Sequence, residues 1–173
     1  MMMESVPYRE GFYQKELGMT QDLVKKLEVM RLKDSVNFMK WATVLINFEK
    51  GLYANPEQDL PKLWYGLKQK HMLENVPAVL HHEWACVPHF LSHPVYYQNY
   101  LRAEIMASQM YDAMHAKLGN LSENKDTAEY LRTKFFRFGA SLKEGELLKR
   151  FTGSALNVDA YCKQFVDLAK RIL

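Results

Sequence analysis

The chain has 173 residues, and its 48% hydrophobic and 25% charged residues are typical of a soluble folded domain and exclude an intrinsically disordered chain. Its net charge of +3 is spread along the sequence without a basic block, so we expect no nucleic-acid partner. No apolar run approaches the roughly 20 residues of a membrane-spanning helix, and the two cysteines are far apart in sequence. The sequence therefore predicts a cytoplasmic protein that has no membrane partner.

Apolar residues recur every three or four positions along most of the chain, which predicts an all-α fold. The first long helix is predicted over about residues 20–53, with Thr20 as its N-cap and Pro56 beyond its end. A second helix is predicted to begin after Asp59, because Pro61 suits a first helical turn.

The middle of the chain is predicted to be irregular. Three prolines interrupt the helical pattern there: Pro77, Pro88 and Pro94. We therefore expect one short extended segment at about residues 79–92. Pro94 also suits the first position of a helix, so the next helix is predicted from Pro94 to about Leu118.

Three shorter helices are predicted in the last third of the chain, over about residues 126–138, 141–151 and 158–172. The first two starts have the spacing of a capping box, in which the N-cap and the third helical residue exchange hydrogen bonds. The two predicted pairs are Asp126 with Glu129 and Ser141 with Glu144.

Residues 79–93 contain four of the six histidines and one of the two cysteines. The segment from His82 to Cys86 differs from the zinc motif H-E-x-x-H by one residue. That motif needs a helix to bring both ligands to one face, and Pro88 follows at once, so we interpret the spacing as accidental. A small metal site of Cys86, His82 and His89 on extended chain stays open as an alternative.

A second alternative for this segment is purely structural. Trp84, Cys86 and Phe90 are then contacts of the hydrophobic core, with Cys86 as a small buried apolar residue.

Tyr97 and Tyr100 are three residues apart and are predicted to share one face of the helix that begins at Pro94. His89 lies in the segment before that helix. A phenol keeps its proton near neutral pH and can donate it to a developing oxyanion. The pattern allows His89, Tyr97 and Tyr100 to converge on one point, and ordinary packing of a half-buried helix is the alternative.

Seven short segments occur in this order along the chain: FEKGLY (48–53), LWYGL (63–67), PHF (88–90), YYQNYL (96–101), FGAS (138–141), LLKRFTG (147–153) and VDAY (158–161). Their order resembles the C-terminal part of zinc peptidases of the thimet oligopeptidase and oligoendopeptidase F kind, which have angiotensin-converting-enzyme-like relatives. The resemblance covers the chain from about residue 20 to its end. It implies that the helical domain is part of a larger gluzincin-type peptidase fold.

In those families a histidine and two tyrosines bind the scissile carbonyl and stabilise the tetrahedral intermediate. The resemblance therefore implies these catalytic roles for His89, Tyr97 and Tyr100. It further implies that Tyr96 and His93 contact the substrate, and Tyr96 is the alternative to Tyr97 in the catalytic set.

The chain departs from the family pattern at the metal. Those enzymes hold zinc with an H-E-x-x-H helix and a further glutamate, and no H-E-x-x-H occurs in this sequence. Glu4 is not expected to act as the further ligand, because two helical histidines are missing. We therefore expect zinc in the complete enzyme and none bound by this chain, which is interpreted as the C-terminal portion (1–173) of a metallopeptidase catalytic domain.

The expected partners follow from this interpretation. They are a peptide substrate and either an N-terminal chain that carries H-E-x-x-H or a second copy that associates through exposed apolar surface. The alternative function is a catalytically inactive helical module that binds a peptide or a protein.

Overall fold

The computed structural model describes residues 11–172, apart from the side chains of residues 168, 171 and 172. Within this range the chain is helical and contains no strand, which confirms the all-α prediction. The α-helices of the described range are α1 (Phe12–Lys15), α2 (Gln21–Ala54), α3 (Leu60–Met72), α4 (Pro88–Ser92), α5 (Gln98–Leu118), α6 (Thr127–Lys134), α7 (Glu144–Thr152) and α8 (Asp159–Ile172). Two 3-10 turns lie at Glu83–Cys86 and Phe136–Phe138. None of the helices found in residues 11–172 is both long and apolar enough to cross a membrane.

The chain divides into two compact units. One unit is Lys33–Arg102, here called the central unit. The other, here called the terminal unit, consists of the residues before Lys33 and after Arg102. The long helices α2 and α5 each contain residues of both units.

The core of the central unit is aromatic. The ring of Phe48 on α2 lies 5.1 Å from Trp64 on α3, 5.5 Å from Trp84 and 5.2 Å from Phe90, measured between ring centroids. Gly51 lets α2 approach α3 closely, because a Cβ at this position would lie 2.6 Å from Cδ2 of Leu63. Burial of these large rings contributes strongly to the hydrophobic stabilisation of the unit, together with Val44 and Leu45.

The terminal unit has its own core. The buried side chains come from α5, α6, α7 and the loop after α5: Met110, Tyr111, Met114, Leu121, Leu131, Leu148 and Phe151. Gln109 is also buried and joins α5 to the loop after α7. Its amide nitrogen donates to Ser154 Oγ (2.7 Å) and to the carbonyl of Ala155 (3.0 Å), and its oxygen accepts from the backbone N–H of Asn157 (3.2 Å).

Two predicted helix starts are confirmed by their caps. Thr20 Oγ1 accepts a hydrogen bond from the N–H of Leu23 (3.4 Å) at the start of α2. Asp59 accepts one from the N–H of Lys62 (2.9 Å) at the start of α3, with Pro61 in the first turn. Both are the side-chain bonds that satisfy free N–H groups at a helix N-terminus.

Both predicted capping boxes are wrong. Asp126 makes no side-chain cap, and its own N–H donates to Asn124 Oδ1 (2.8 Å). Glu129 instead accepts two hydrogen bonds from Arg132 one turn later. Ser141 donates to the carbonyl of Phe138 (2.6 Å), and α7 begins only at Glu144. In each case a nearer backbone or side-chain partner competes successfully with the capping geometry.

The extended segment predicted at residues 79–92 is also wrong from Glu83 onward. The 3-10 turn Glu83–Cys86 is followed directly by the short helix α4, which begins at Pro88. A proline disfavours a helix interior but suits a first turn, where its missing N–H would be unpaired in any case.

The helix predicted from Pro94 begins four residues later, at Gln98. Val95 has φ = +60°, in the left-handed region, and so cannot belong to a right-handed helix. Tyr97 therefore precedes α5 rather than lying on it, although the N–H of Tyr100 still bonds to the Tyr97 carbonyl at 3.2 Å.

Candidate functional site

The structure brings all five of the predicted site side chains together in the central unit. The His89 ring lies 5.2 Å from Tyr97, 5.7 Å from Tyr100 and 6.4 Å from Tyr96, between centroids. The fifth ring, that of His93, is 6.1 Å from His89 and 6.0 Å from Tyr96. His89 is carried by α4 and Tyr100 by the first turn of α5, so the turn between these helices closes the cluster. These five residues are called the ring cluster below.

His89 and Tyr100 are directly connected. Nε2 of His89 lies 3.2 Å from the Tyr100 hydroxyl, and both side chains are partly buried. A neutral imidazole has one N–H donor and one bare nitrogen. When the His89 proton is on Nε2, the imidazole donates to the phenol oxygen and leaves the phenol hydrogen free to bond outward. The two residues then act as one hydrogen-bond donor, with Tyr100 at its tip.

The phenol of Tyr97 also has a nitrogen donor next to it, the indole nitrogen of Trp41. Burial raises the pKa of its phenol above the ordinary value of 10.0, a hydrogen bond with the Trp41 side chain partly offsets the rise, and nearby Tyr100 adds to it. The indole nitrogen of Trp41 is a donor only, so Tyr97 accepts this bond and keeps its own O–H hydrogen available. Tyr97 therefore stays protonated at neutral pH and is a second outward donor.

Tyr96 and His93 form the outer part of the ring cluster. Tyr96 is 44% exposed and stacks on His89 with an interplanar angle of 16°. Ser92 donates its hydroxyl hydrogen to the carbonyl of Pro88 (2.8 Å), and its oxygen lies 2.8 Å from Nδ1 of His93. With the Ser92 hydrogen on the Pro88 carbonyl, a neutral His93 that donates to Ser92 Oγ has its proton on Nδ1 and a bare Nε2. Within the outer part, a neutral His93 thus offers an acceptor, whereas the Tyr96 phenol has a hydrogen to donate.

The sequence did not reveal two residues that shape this site. Glu49 on α2 accepts a hydrogen bond from the N–H of Val95 at 2.5 Å, although 46 residues separate them. Glu49 directly follows Phe48 at the end of a largely apolar stretch (44–48), and this is the signal that could have drawn attention to position 49. The left-handed backbone of Val95 has no sequence signal, because valine is among the residues that disfavour it most.

The H-E-x-x-H-like segment has a structural task. Glu83 Oε2 accepts hydrogen bonds from the indole N–H of Trp64 (3.3 Å) and from Nζ of Lys68 (3.1 Å), which attach the 3-10 turn to α3. Trp84 packs on the core, whereas Cys86 is exposed, so the prediction of a buried Cys86 is wrong.

The alternative metal site has no support in the described residues. No three His, Cys, Asp or Glu side chains among them form a group that could hold a metal ion. His82 contacts Trp84 instead, and His89 belongs to the ring cluster. Glu4 lies outside the described residues.

Comparisons with protein-family models, with curated proteins and with solved structures found no match to this chain. The ring cluster itself therefore carries the functional argument. Its chemical content is two phenols at the partly exposed edge of an aromatic core, Tyr100 within 3.2 Å of Nε2 of His89 and Tyr97 beside the indole nitrogen of Trp41.

Proposed function

We propose that this chain contributes to peptide-bond hydrolysis as part of a zinc-dependent oligopeptidase or endopeptidase. In this proposal it is the C-terminal portion of the catalytic domain, within a gluzincin-type fold in the cytoplasm. The chain supplies the substrate-binding wall and the donors that stabilise the oxyanion. The observation that supports the proposal best is the hydrogen bond between His89 and Tyr100, with the Tyr97 ring 5.2 Å from both partner rings.

Each residue of the cluster has a role in the proposed reaction. Tyr97 and Tyr100 donate their phenol hydrogens to the scissile carbonyl oxygen as negative charge develops on it. His89 donates to the Tyr100 oxygen and strengthens that phenol as a donor. Tyr96 and His93 contact the peptide beside the scissile bond, where the bare nitrogen of His93 accepts a hydrogen bond from a backbone N–H.

Zinc does not fit the residues described here, and the proposal assigns it to a partner chain that carries H-E-x-x-H. In such enzymes zinc polarises the carbonyl and activates water. The part assigned to this chain is limited to binding the peptide, orienting it and stabilising the oxyanion.

The experiment is a cleavage assay with fluorescence-quenched peptides and added zinc, on the purified chain alone and together with a chain that carries H-E-x-x-H. We expect turnover only with the second chain. Tyr97→Phe and Tyr100→Phe should each reduce that turnover about a hundred- to a thousandfold, the usual effect of losing one oxyanion donor. Tyr53→Phe removes an exposed phenol outside the ring cluster and serves as the matched control. Equal turnover in all three variants contradicts the proposal.

A second candidate function is a catalytically inactive helical module that binds a peptide or a protein. It is favoured by three exposed apolar side chains of the central unit: Leu73 (80%), Val79 (63%) and Leu91 (75%). Such surface also favours self-association. Peptide binding without turnover under every condition of the cleavage assay supports this function over the first. Sedimentation of the Leu91→Ser and parent chains would detect self-association through this surface.

A further inference from the structure

Glu49 is a buried carboxylate with a very specific partner. It is 6% exposed and lies on α2 beside Phe48, a fully buried core residue. Burial of a carboxylate is costly unless hydrogen bonds compensate it. In the described part of the chain, the hydrogen bond of this carboxylate goes to the backbone N–H of Val95. The Glu49 carboxylate therefore binds one backbone N–H of the turn between α4 and α5.

That backbone group belongs to a strained residue. Val95 has φ = +60°, and a left-handed conformation of a β-branched residue costs about 1–3 kcal/mol. It persists only where surrounding contacts fix it. The Val95 side chain is 54% exposed, so packing of that side chain does not account for the conformation. Two side-chain hydrogen bonds hold the backbone of Val95: its N–H donates to the buried Glu49, and its carbonyl accepts from the exposed Gln98 (3.3 Å).

The left-handed conformation of Val95 determines where the chain turns and therefore where the Tyr96 ring lies. With Val95 left-handed, the chain reverses within one turn, and the N–H of Tyr96 bonds to the carbonyl of His93 (3.2 Å). The reversal brings the Tyr96 ring onto His89 and to 5.6 Å from Tyr100. With Val95 in a right-handed or extended conformation, the chain would leave Pro94 in a different direction, and the Tyr96 ring would not lie on His89.

We infer that Glu49 is a positioning residue, which holds Val95 in the left-handed conformation and thereby orients Tyr96 and Tyr97 against His89. The purpose of that orientation, substrate binding, rests on the proposed function. The positioning of Tyr96 and Tyr97 by Glu49 needs no partner chain or substrate, so it is tested on this chain alone.

The test is a set of variants examined by nuclear magnetic resonance. Glu49→Gln keeps an oxygen acceptor of the same size, whereas Glu49→Leu removes the acceptor and keeps an apolar filling. Val95→Gly removes the strain, because glycine adopts positive φ without cost.

We expect Glu49→Leu to lose the cross-peaks between the His89 and Tyr96 rings while keeping those between Phe48 and Trp64. Glu49→Gln should retain them, and Val95→Gly should restore them in the Glu49→Leu background.

Three outcomes overturn the inference: unchanged His89–Tyr96 cross-peaks in Glu49→Leu, equal loss in Glu49→Gln, or no restoration by Val95→Gly. If Glu49→Leu fails to fold, hydrogen exchange of the Val95 amide in the parent chain decides. Protection of about tenfold or more is expected for this hydrogen bond on an exposed residue, and an unprotected amide overturns the inference. Lost cross-peaks with unchanged peptide turnover would leave the positioning intact and contradict the proposed function.

Discussion

Trp64 donates its indole hydrogen to the carboxylate of Glu83 across 3.3 Å, from a core position on α3 to the 3-10 turn that precedes α4. Lys68, one helical turn after Trp64, binds the same oxygen at 3.1 Å. The carboxylate thus attaches the segment that leads into His89 to a rigid helix. The two donors bind the charged form of Glu83 most strongly.

The first prediction concerns that charge. The nearby Tyr65 hydroxyl, together with hydrogen bonds from Trp64 and Lys68, lowers the pKa of Glu83 from its ordinary value of 4.5. A lowered pKa means that the contribution to stability is present above pH 4.5 and is lost as the pH falls through the lower, folded-state value. We expect Glu83→Gln to cost about 1 kcal/mol or less at neutral pH, since the site is half-exposed, and the difference from the parent chain to shrink in acid.

Urea unfolding at about pH 6 and about pH 3 measures this difference. Glu74→Gln is the matched control, because Glu74 also pairs with Lys68 (2.9 Å) but is not among the groups that bind Trp64. A Glu83→Gln cost that stays the same at both pH values would contradict the prediction.

The second prediction compares two helical glycines. Alanine is favoured over glycine in a helix by about 1 kcal/mol. At Gly66 on α3 a Cβ meets nothing within 4 Å, so Gly66→Ala should stabilise the chain by about 0.5–1 kcal/mol. At Gly51 a Cβ would lie 2.6 Å from Leu63, and overpacking costs about 1–3 kcal/mol. Gly51→Ala should therefore destabilise it.

The opposite signs of the two substitutions are the test, read from the urea midpoints of the two variants. Leu63→Ala in the Gly51→Ala background should recover part of the loss caused by the new contact, as a coupling between the two sites. Equal stabilisation by both alanines would contradict the prediction and would mean that the Leu63 side chain moves aside at little cost.

The third prediction concerns Gln109 in the terminal unit. Gln109→Leu removes the acceptor of the Asn157 N–H and one of the two donors to the Ala155 carbonyl, which keeps Nδ2 of Asn157 at 3.3 Å. An unsatisfied buried group costs about 1–3 kcal/mol. We expect a loss of about 2 kcal/mol, since the loop that contains these groups is partly exposed and water replaces some of the bonds. Gln69→Leu on the exposed face of α3 is the control and should change stability by less than about 0.5 kcal/mol. Thermal unfolding of the two variants measures both, and equal effects contradict the role of Gln109.

The fourth prediction concerns the loss of stability at alkaline pH. Burial, together with the nearby Glu104 and Cys162, raises the pKa of Tyr161 from 10.0 to about 12. A raised pKa means that its contribution is fully present below pH 10.0 and is lost as the pH rises toward about 12. The slope from this residue approaches about 1.4 kcal/mol per pH unit in that interval. We expect Tyr161→Phe to remove this slope.

Stability at about pH 9 should hardly change in Tyr161→Phe, because the buried hydroxyl has no hydrogen-bond partner among the described residues. Urea unfolding between pH 9 and 11 compares Tyr161→Phe with Tyr53→Phe, which removes an exposed phenol. Identical alkaline slopes in these two variants would contradict the prediction.

The helical period of the apolar residues predicted the helices well. The capping and proline signals predicted some helix starts correctly and others wrongly. The starts at Thr20 and Asp59 were predictable because the capping oxygen and the helix are adjacent in sequence. The start at Pro94 was not, because it depended on a left-handed Val95 held from position 49. The capping boxes failed for a related reason: Asn124 and Arg132 offered competing partners that spacing alone does not weigh.

The candidate site shows the same division. His89, Tyr97 and Tyr100 lie within twelve consecutive residues, so that local sequence sufficed to predict that their rings come together. Their support was not predictable, because Trp41 and Glu49 lie on α2, far from Tyr97 and Val95 in sequence. The roles of these residues in catalysis remain predictions of the proposed function.

The distribution of tryptophan gives the protein an internal reporter. All three tryptophans, Trp41, Trp64 and Trp84, belong to the central unit, and the terminal unit has none. Indole emission therefore senses unfolding of residues 33–102 alone, while far-ultraviolet circular dichroism senses the helices of both units. Coincident transitions by the two signals would establish one cooperative molecule, and separate transitions would assign each step to its unit without any label.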